Sequence, residues 1–353
     1  MKTKIWLTEG LSSQRNIIQS VNDFSHNGGR EITIYASHRH ERNEILSVAH
    51  FSLIEPQDES QRLAFITAIV KEHGIDVIHA GRNGRWFETH RQAIEALGVA
   101  LTTGAISVDT IDLADDKVAF AQFMESKGLP VVPSLRVSTV GELKQLLAST
   151  PFEAPCIKPV KGIYGMGFWR FDDTVSPMTV FNYPERRRVN TEQYIAACEA
   201  ARSFEPQVVM PYLPGPEYSV DMLVDHGNVL AAVGRRKEDA LQYLENTGDA
   251  WALAQACAQA MNADGLVNVQ TRNDASGKPL LLEINMRPSG GIGYTRHSGV
   301  NLAGLYAAFK LGQLTADEVQ ALARSSFSPA VVRSVTDVVA YDHVLANKLN
   351  TGV

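Results

Sequence analysis

The sequence predicts a mixed fold: an α/β half with a parallel sheet, followed by an α+β half built on hairpins. Three observations carry this. Short apolar runs alternate with helical segments through the first hundred residues; a glycine-rich turn joins two extended runs at residues 156–171; and residues 265–288 form two alternating strands around a polar turn. At 353 residues the chain has room for two or three domains, and 44% hydrophobic residues supply a substantial core. With 20% charged residues and a net charge of −6, neither disorder nor a bulk attraction to nucleic acid or anionic membrane is expected, so any phosphate binding must be local. The opening MKTKIWLTEG lacks the apolar core and cleavage site of a signal peptide, and no later run is long enough to span a bilayer, so a cytoplasmic protein is expected. Cys156, Cys198 and Cys257 are odd in number and far apart, as befits reduced structural thiols.

Taken in order, Lys4 to Leu7, Glu31 to Ala36, Ile75 to Ala80 and Val99 to Thr102 are expected strands, with helices at Gln14 to Phe24, Gln61 to His73 and His90 to Leu97 between them. Loops after strand C-termini in such sheets carry ligands. Here they offer Thr8-Glu9-Gly10, then Ser37 to His40, then Gly81 to Arg85. No GxGxxG is present, so a dinucleotide site is not supported. His38 and His40 read as solvated rather than metal-bound, whereas Arg82 and Arg85 suit carboxylate or phosphate contacts. A boundary is expected near Ser107 to Leu113. Asp115 and Asp116 then open a helix from Lys117 to Ser126, where a surface position is the plain reading of Lys117.

A strand delivers Lys158, and the loop holding Gly162, Gly165 and Gly167 is free to turn backbone amides towards an anion. It is not a Walker loop, since GxxxxGK with Ser or Thr is absent and the next run, Phe168 to Phe171, is extended. Such a loop is a plain turn or a phosphate flap. Thr191 to Phe204 is helical, Gln207 to Met210 is a buried strand, and Pro211 to Pro216 is a stiff connector ahead of strand Glu217 to Met222. Arg235, Arg236 and Lys237 follow strand Val229 to Val233, a solvated cluster that is also capable of facing phosphate or carboxylate. Helix Asp249 to Met261 leads into the hairpin, whose second strand sets Glu283, Asn285 and Arg287 on one face, as Asn268, Gln270 and Arg272 are set in the first. A water-facing sheet shows the same alternation. The alternative is a platform for a hard divalent cation, held by carboxylate and amide oxygens together with a nucleotide's phosphates. Ser289 to Gly299 is too glycine-rich for regular structure and lets a substrate approach Gly290 and Gly291. Helices at Leu302 to Leu311 and Ala316 to Ala323 and a strand at Ala330 to Val339 close the chain.

The order of these elements, with GLVNVQ followed by LEINMRP, resembles the ATP-grasp superfamily, in particular single-copy members similar to the large subunit of carbamoyl phosphate synthetase. The resemblance implies a Rossmann-like preATP-grasp domain at 1–112, a small lobe with linker helix and phosphate loop at 113–209, and a metal-bearing lobe at 210–353. It implies ATP with magnesium (or manganese). Lys117 and Lys158 would contact the phosphates, Gly162 to Gly167 would cover them, and main-chain groups around Met210, Tyr212 and Leu213 would meet adenine. Glu217 would meet the ribose; Gln270, Glu283 and Asn285 would hold metal; Arg287 would stabilise the phosphoryl and acyl-phosphate groups. Two departures stand out: Pro211 replaces a common hinge glutamate, and Gln270 replaces a common acid. The implied reaction is carboxylate–amine ligation through an acyl phosphate. Carboxylation or carbamate formation is the alternative enzyme class, and a nucleotide-binding regulator on the same scaffold is the non-enzymatic one. The partners expected are small carboxylates and amines, with no nucleic acid and no membrane; a homodimer is admitted without being required. Arg82, Arg85, Arg272, Gly290 and Gly291 are the candidate substrate contacts.

Overall fold

The computed structural model describes residues 2–162, 165–336 and 338. The backbone divides into two compact units. One comprises Met1–Ile111, Glu217–Gln270 and Ile284–Val353, the other Asp112–Pro216 and Thr271–Glu283.

The first unit begins with a parallel sheet of five strands: β1 (Lys4–Leu7), β2 (Thr33–His38), β3 (Phe51–Ile54), β4 (Val77–His79) and β5 (Ala100–Thr102), ordered β3-β2-β1-β4-β5. Strand alternation divides β1 between two cores. Ile5 and Leu7 pack with Ile17, Ile18 and Val21 of helix Gln14–Gly28, while Trp6 packs with Ile66, Ile69 and Val70 of helix Arg62–His73. Both helices stop at glycines in the left-handed region, Gly29 and Gly74. Strand β3 was not expected, because four residues beginning with the exposed Phe51 carry no inward alternation; Tyr35 stacked on Phe51 holds this edge. The division between the two units falls at Ile111 and Asp112, inside the expected range Ser107 to Leu113, and this stretch is helical from Val108 to Asp115.

The second unit holds a mixed sheet of β6 (Leu135–Val137), β7 (Pro155–Pro159), β8 (Trp169–Phe171), β9 (Arg188–Val189) and β10 (Gln207–Pro211), ordered β6-β10-β7-β8-β9. In β7 and β10 the residues Cys156, Val208 and Met210 pack on one face with Val118, Leu280 and Leu282. Ile157 and Val209 pack on the other with Leu143 and Phe171. Lys158 sits opposite Val208 and so emerges on the first of these faces. Of the glycine loop, residues 163 and 164 lie outside the described residues.

A third sheet is ordered β15-β14-β11-β12-β13-β16, from β11 (Glu217–Asp225), β12 (Asn228–Glu238), β13 (Leu241–Glu245), β14 (Gly265–Asn273), β15 (Pro279–Asn285) and β16 (Ala330–Val332). The expected hairpin is β14–β15, its turn closed by Asp274, whose carboxylate accepts from the amides of Ser276 and Lys278. Strand β12 runs to Glu238, so Arg235, Arg236 and Lys237 are strand residues rather than the loop cluster expected after Val233. Cross-strand pairing keeps the chain extended that far: Glu217 faces Lys237 and Ser219 faces Arg235. The glycine-rich Ser289 to Gly299 is not wholly irregular either. Ile292–Ser298 forms tight 3₁₀ turns. The closing strand ends at Val332, and the tail from Asp342 lies outside the described residues. Among the described residues no helix is long and apolar enough to cross a membrane.

Candidate nucleotide and metal site

In the second unit, Asp116 caps helix Lys117–Ser126 by accepting from the amides of Val118 (3.1 Å) and Ala119 (3.0 Å). Arg136 holds the same carboxylate at 2.6–2.7 Å. The cap fixes the first helical residue, Lys117, which is only 6% exposed and therefore not the surface lysine of the plain sequence reading. Burial lowers its pKa, Glu283 opposes that by attraction and Lys158 adds to it by repulsion. Its Nζ donates to the carbonyls of Val160 and Gly162, both at 3.2 Å, at the entrance of the glycine loop. Glu283 Oε2 lies 4.0 Å from Lys117 Nζ and 3.7 Å from Lys158 Nζ. Two ammonium groups thus flank one carboxylate at distances too long for hydrogen bonds, leaving an excess of positive charge beside the loop.

Gly165 and Gly167 both have positive φ, 63° and 72°. A side chain at Gly167 would also collide with the Pro159 ring, so that residue is required twice over. At the connector, Met210 pairs with Cys156 in the ladder and the Tyr212 amide donates to the Ala154 carbonyl at 2.7 Å. The Tyr212 ring is approached by two guanidinium groups, 4.3 Å away at Arg170 and 5.4 Å at Arg272. Arg272 also donates to the Gly215 carbonyl at 3.1 Å, bracing the proline-rich connector.

The first unit holds the other candidates. Glu217 pairs with Lys237 across β11 and β12. On the same face Arg235 is 3% exposed and donates to Asp221 (2.8 Å), Ser219 (2.9 Å), Gln242 (2.6 Å) and Ser289 (2.8 Å). Sequence reading allowed this arginine to face a carboxylate but expected a solvated position rather than this burial. The signal lay in Glu217, Ser219 and Asp221, spaced by two along β11, which demand a polar complement on the facing strand. Asn268 extends the network, donating to Ser219 and Asp221 at 3.0 Å. Gln270 follows two residues later on the same strand face. The carboxamides of Gln270 and Asn285 make no hydrogen bond among the described residues, and carboxamide oxygens are ligands that suit a hard cation. Arg287 lines a small pocket together with Thr8, Ser13, Gln14 and His79, at the point where strand order reverses between β1 and β4.

Arg82 meets Glu9 at 3.1 Å, and Arg39 meets the same carboxylate at 2.5 Å. Burial pushes the Glu9 pKa up, but these arginines together with His38 bring it below its usual value. His38, expected to be solvated, is buried beside Glu9, and its Nδ1 accepts from the His40 amide at 3.0 Å. Arg85 is the second residue of helix Gly84–Thr89. Gly290 and Gly291 follow Ser289 and pack against Ser12 and Arg235. Asp225, His226 and Asp264 bring ligand atoms within 4.8 Å of one another, but Lys310 Nζ already neutralises both carboxylates at 3.1 and 2.8 Å.

The family model of ATP-grasp proteins in the biosynthetic pathway with Ter operon matches residues 203–337. The chain is 25% identical over 295 residues, 74% of its length, to the carbamoyl phosphate synthase large chain of Thermomicrobium roseum, of which it spans 25%. It is 25% identical over 252 residues to the D-alanine–D-alanine ligase of Ectopseudomonas mendocina, matching 65% of this chain and 72% of that one. Among solved structures, the L-amino acid ligase from Bacillus licheniformis superposes with a TM-score of 0.62 at 16% identity, covering 90% of this chain and 76% of that one. The ADP complex of N5-carboxyaminoimidazole synthetase from Staphylococcus aureus gives 0.66 at 15% identity, covering 89% and 79%. By these matches the chain is similar to ATP-grasp proteins, and it shares with the two solved structures a fold that combines a parallel sheet with mixed and antiparallel sheets.

Proposed function

We propose that this chain is an ATP-dependent carboxylate–amine ligase that works through an acyl phosphate. The convergence of Lys117 and Lys158 on Glu283, beside a loop with Gly165 and Gly167 in the left-handed region, carries this reading. A carboxylate oxygen of one substrate attacks the γ-phosphorus in line, the bond to the β,γ-bridging oxygen breaks, and ADP leaves. The nitrogen of a bound amine then attacks the acyl carbon, the carbon–oxygen bond to phosphate breaks, and the amine's proton passes to solvent with phosphate release. Transfer of this kind needs placement and charge neutralisation rather than a protein nucleophile, which two lysines and Arg287 can supply.

Lys117, Lys158 and the Gly162, Gly165 and Gly167 loop would hold the phosphates, the Met210, Tyr212 and Leu213 backbone the base, and Glu217 the ribose. Because Tyr212 has spent its amide on Ala154, the base would be read by its carbonyl and its neighbours. Gln270, Glu283 and Asn285 would hold magnesium, whose charge, when bound, offsets that of the phosphates. Arg82, Arg85, Arg272, Gly290 and Gly291 are proposed for the substrate side, and Arg272 would act there through the connector that it braces. The synthase, the ligases and the synthetase among the relatives support ATP-driven activation without selecting the acceptor.

The test is ADP release across a panel of amino acids, other carboxylates, amines and bicarbonate, with mass detection of the condensed product. An amide product with stoichiometric ADP is expected. ADP release dependent on bicarbonate alone would replace ligation by carboxylation, and nucleotide binding without ADP release across the panel would leave a regulator.

A further inference from the structure

We infer that Arg235 is a positioning residue for the proposed phosphoryl transfer: its buried guanidinium is the peg on which the Ser289–Gly291 segment is folded, and through it the backbone that carries Arg287. The inference rests on the ligase reading for its catalytic part. Its geometric part stands alone.

Arg235 uses all three guanidinium nitrogens, and its four bonds reach three different parts of the first unit. Nε reaches Asp221 on β11, one terminal nitrogen reaches Gln242 on β13, and the other reaches both Ser219 on β11 and Ser289 beyond β15. Asp221 is itself fully buried, and its second oxygen accepts from Asn268 on β14. Four strands and the segment after a fifth are thus tied at one planar group. Lysine, with a single charged nitrogen on a flexible stem, cannot reproduce that fork.

The segment is shaped to receive the peg. Ser289 Oγ accepts from Arg235 and also from the Gly291 amide at 3.1 Å, closing a small turn around the guanidinium. A Cβ at Gly291 would overlap the guanidinium itself. On the far side a Cβ at Gly293 would stand 2.7 Å from that of Asn16 in the first helix. The segment is therefore held between β12 and helix Gln14–Gly28, with room for backbone only. Ser289 lies two residues beyond Arg287, so the peg sets the exit direction of the chain from that arginine. A buried ion pair is a costly way to hold a sheet together compared with apolar packing of the same volume, and its use here is explained by the fixed orientation it gives.

The test uses the full chain with Arg235→Lys, Gly291→Ala and the double variant. Amide hydrogen exchange across residues 286–299, the MgADP dissociation constant, and kcat for ADP release from MgATP, without acceptor and with any panel substrates, are measured on each. For Arg235→Lys, exchange in the segment is expected to rise at least about tenfold and kcat to fall at least about thirtyfold, while MgADP affinity stays within about twofold. Gly291→Ala leaves the arginine in the chain but displaces its guanidinium, so it should reproduce both effects even if Arg235→Lys folds poorly. The double variant should be no worse than the worse single one. Unchanged exchange in the segment overturns the peg. Faster exchange with unchanged kcat overturns the positioning role, as does a uniform loss of thermal stability with normal kcat in the folded fraction. A wild-type chain that neither binds MgADP nor releases ADP overturns the ligase reading and the catalytic part with it, whereas the exchange result still decides whether Arg235 holds the segment.

Discussion

Two charged clusters stand on strands of this protein, and their bond lengths separate them. Around Arg235 each polar atom of the guanidinium is satisfied at 2.6–2.9 Å, and the arginine and Asp221 are almost wholly buried. Around Glu283 the nearest ammonium groups stand at 3.7 and 4.0 Å, and the carboxylate remains 22% exposed. The first cluster is complete within the protein. The second has charge in place but no hydrogen bond between the ammonium groups and the carboxylate, as the proposed phosphate and metal site requires. Residue type alone does not separate them, since both are built from carboxylates and cations on alternating strands; saturation does.

The comparison breaks if the loose cluster proves to be structural. Glu283→Ala is expected to lower ADP release about a thousandfold with little change in melting temperature; a folded variant with normal turnover ends the metal assignment. The saturated cluster should behave in the opposite way. Asp221→Ala, which strands a buried guanidinium, should cost about 3–5 kcal/mol in urea unfolding.

His79 sharpens the contrast, being buried in the first unit with neither ring nitrogen bonded. Burial lowers its pKa from the ordinary 6.5 to about 4. Between those values the unfolded chain binds a proton that the native chain does not, so stability rises with pH through this window and is lost on acidification. The loss from this group should approach about 3 kcal/mol by pH 4, measured as the difference between wild type and His79→Gln in urea unfolding at several pH values. Equal acid sensitivity in the two proteins removes the effect. The smallest change is expected for Lys117→Met, which relieves a buried charge while removing one proposed phosphate contact. MgADP affinity should fall about tenfold by calorimetry while melting temperature holds or rises.

Much of the fold was legible because local patterning and tertiary packing agree. Trp6 and its neighbours alternate as a two-sided strand should, and Asp116 caps the helix that begins at Lys117. The Asn273 to Pro279 turn sits between β14 and β15 as its residues require. Reading failed where tertiary partners override a local signal. The run Arg235, Arg236 and Lys237 has the composition of a solvated loop, yet cross-strand pairing with Glu217 and Ser219 extends β12 through it. Edge strand β3 has too little inward alternation to be seen. Lys117 was legible as a candidate through family resemblance but not as a buried residue, because its burial depends on Val160, Gly162 and Glu283, distant in sequence.

By itself the sequence determined the strand and helix periods, the turn glycines and the polar faces of the hairpin, all of which are set within a few residues by backbone geometry and side-chain alternation. Only the tertiary structure decided which of those polar groups are spent and which remain available. That depends on which partner comes within hydrogen-bonding distance, and a guanidinium that finds Asp221, Ser219, Gln242 and Ser289 differs in kind from a carboxylate left between two lysines.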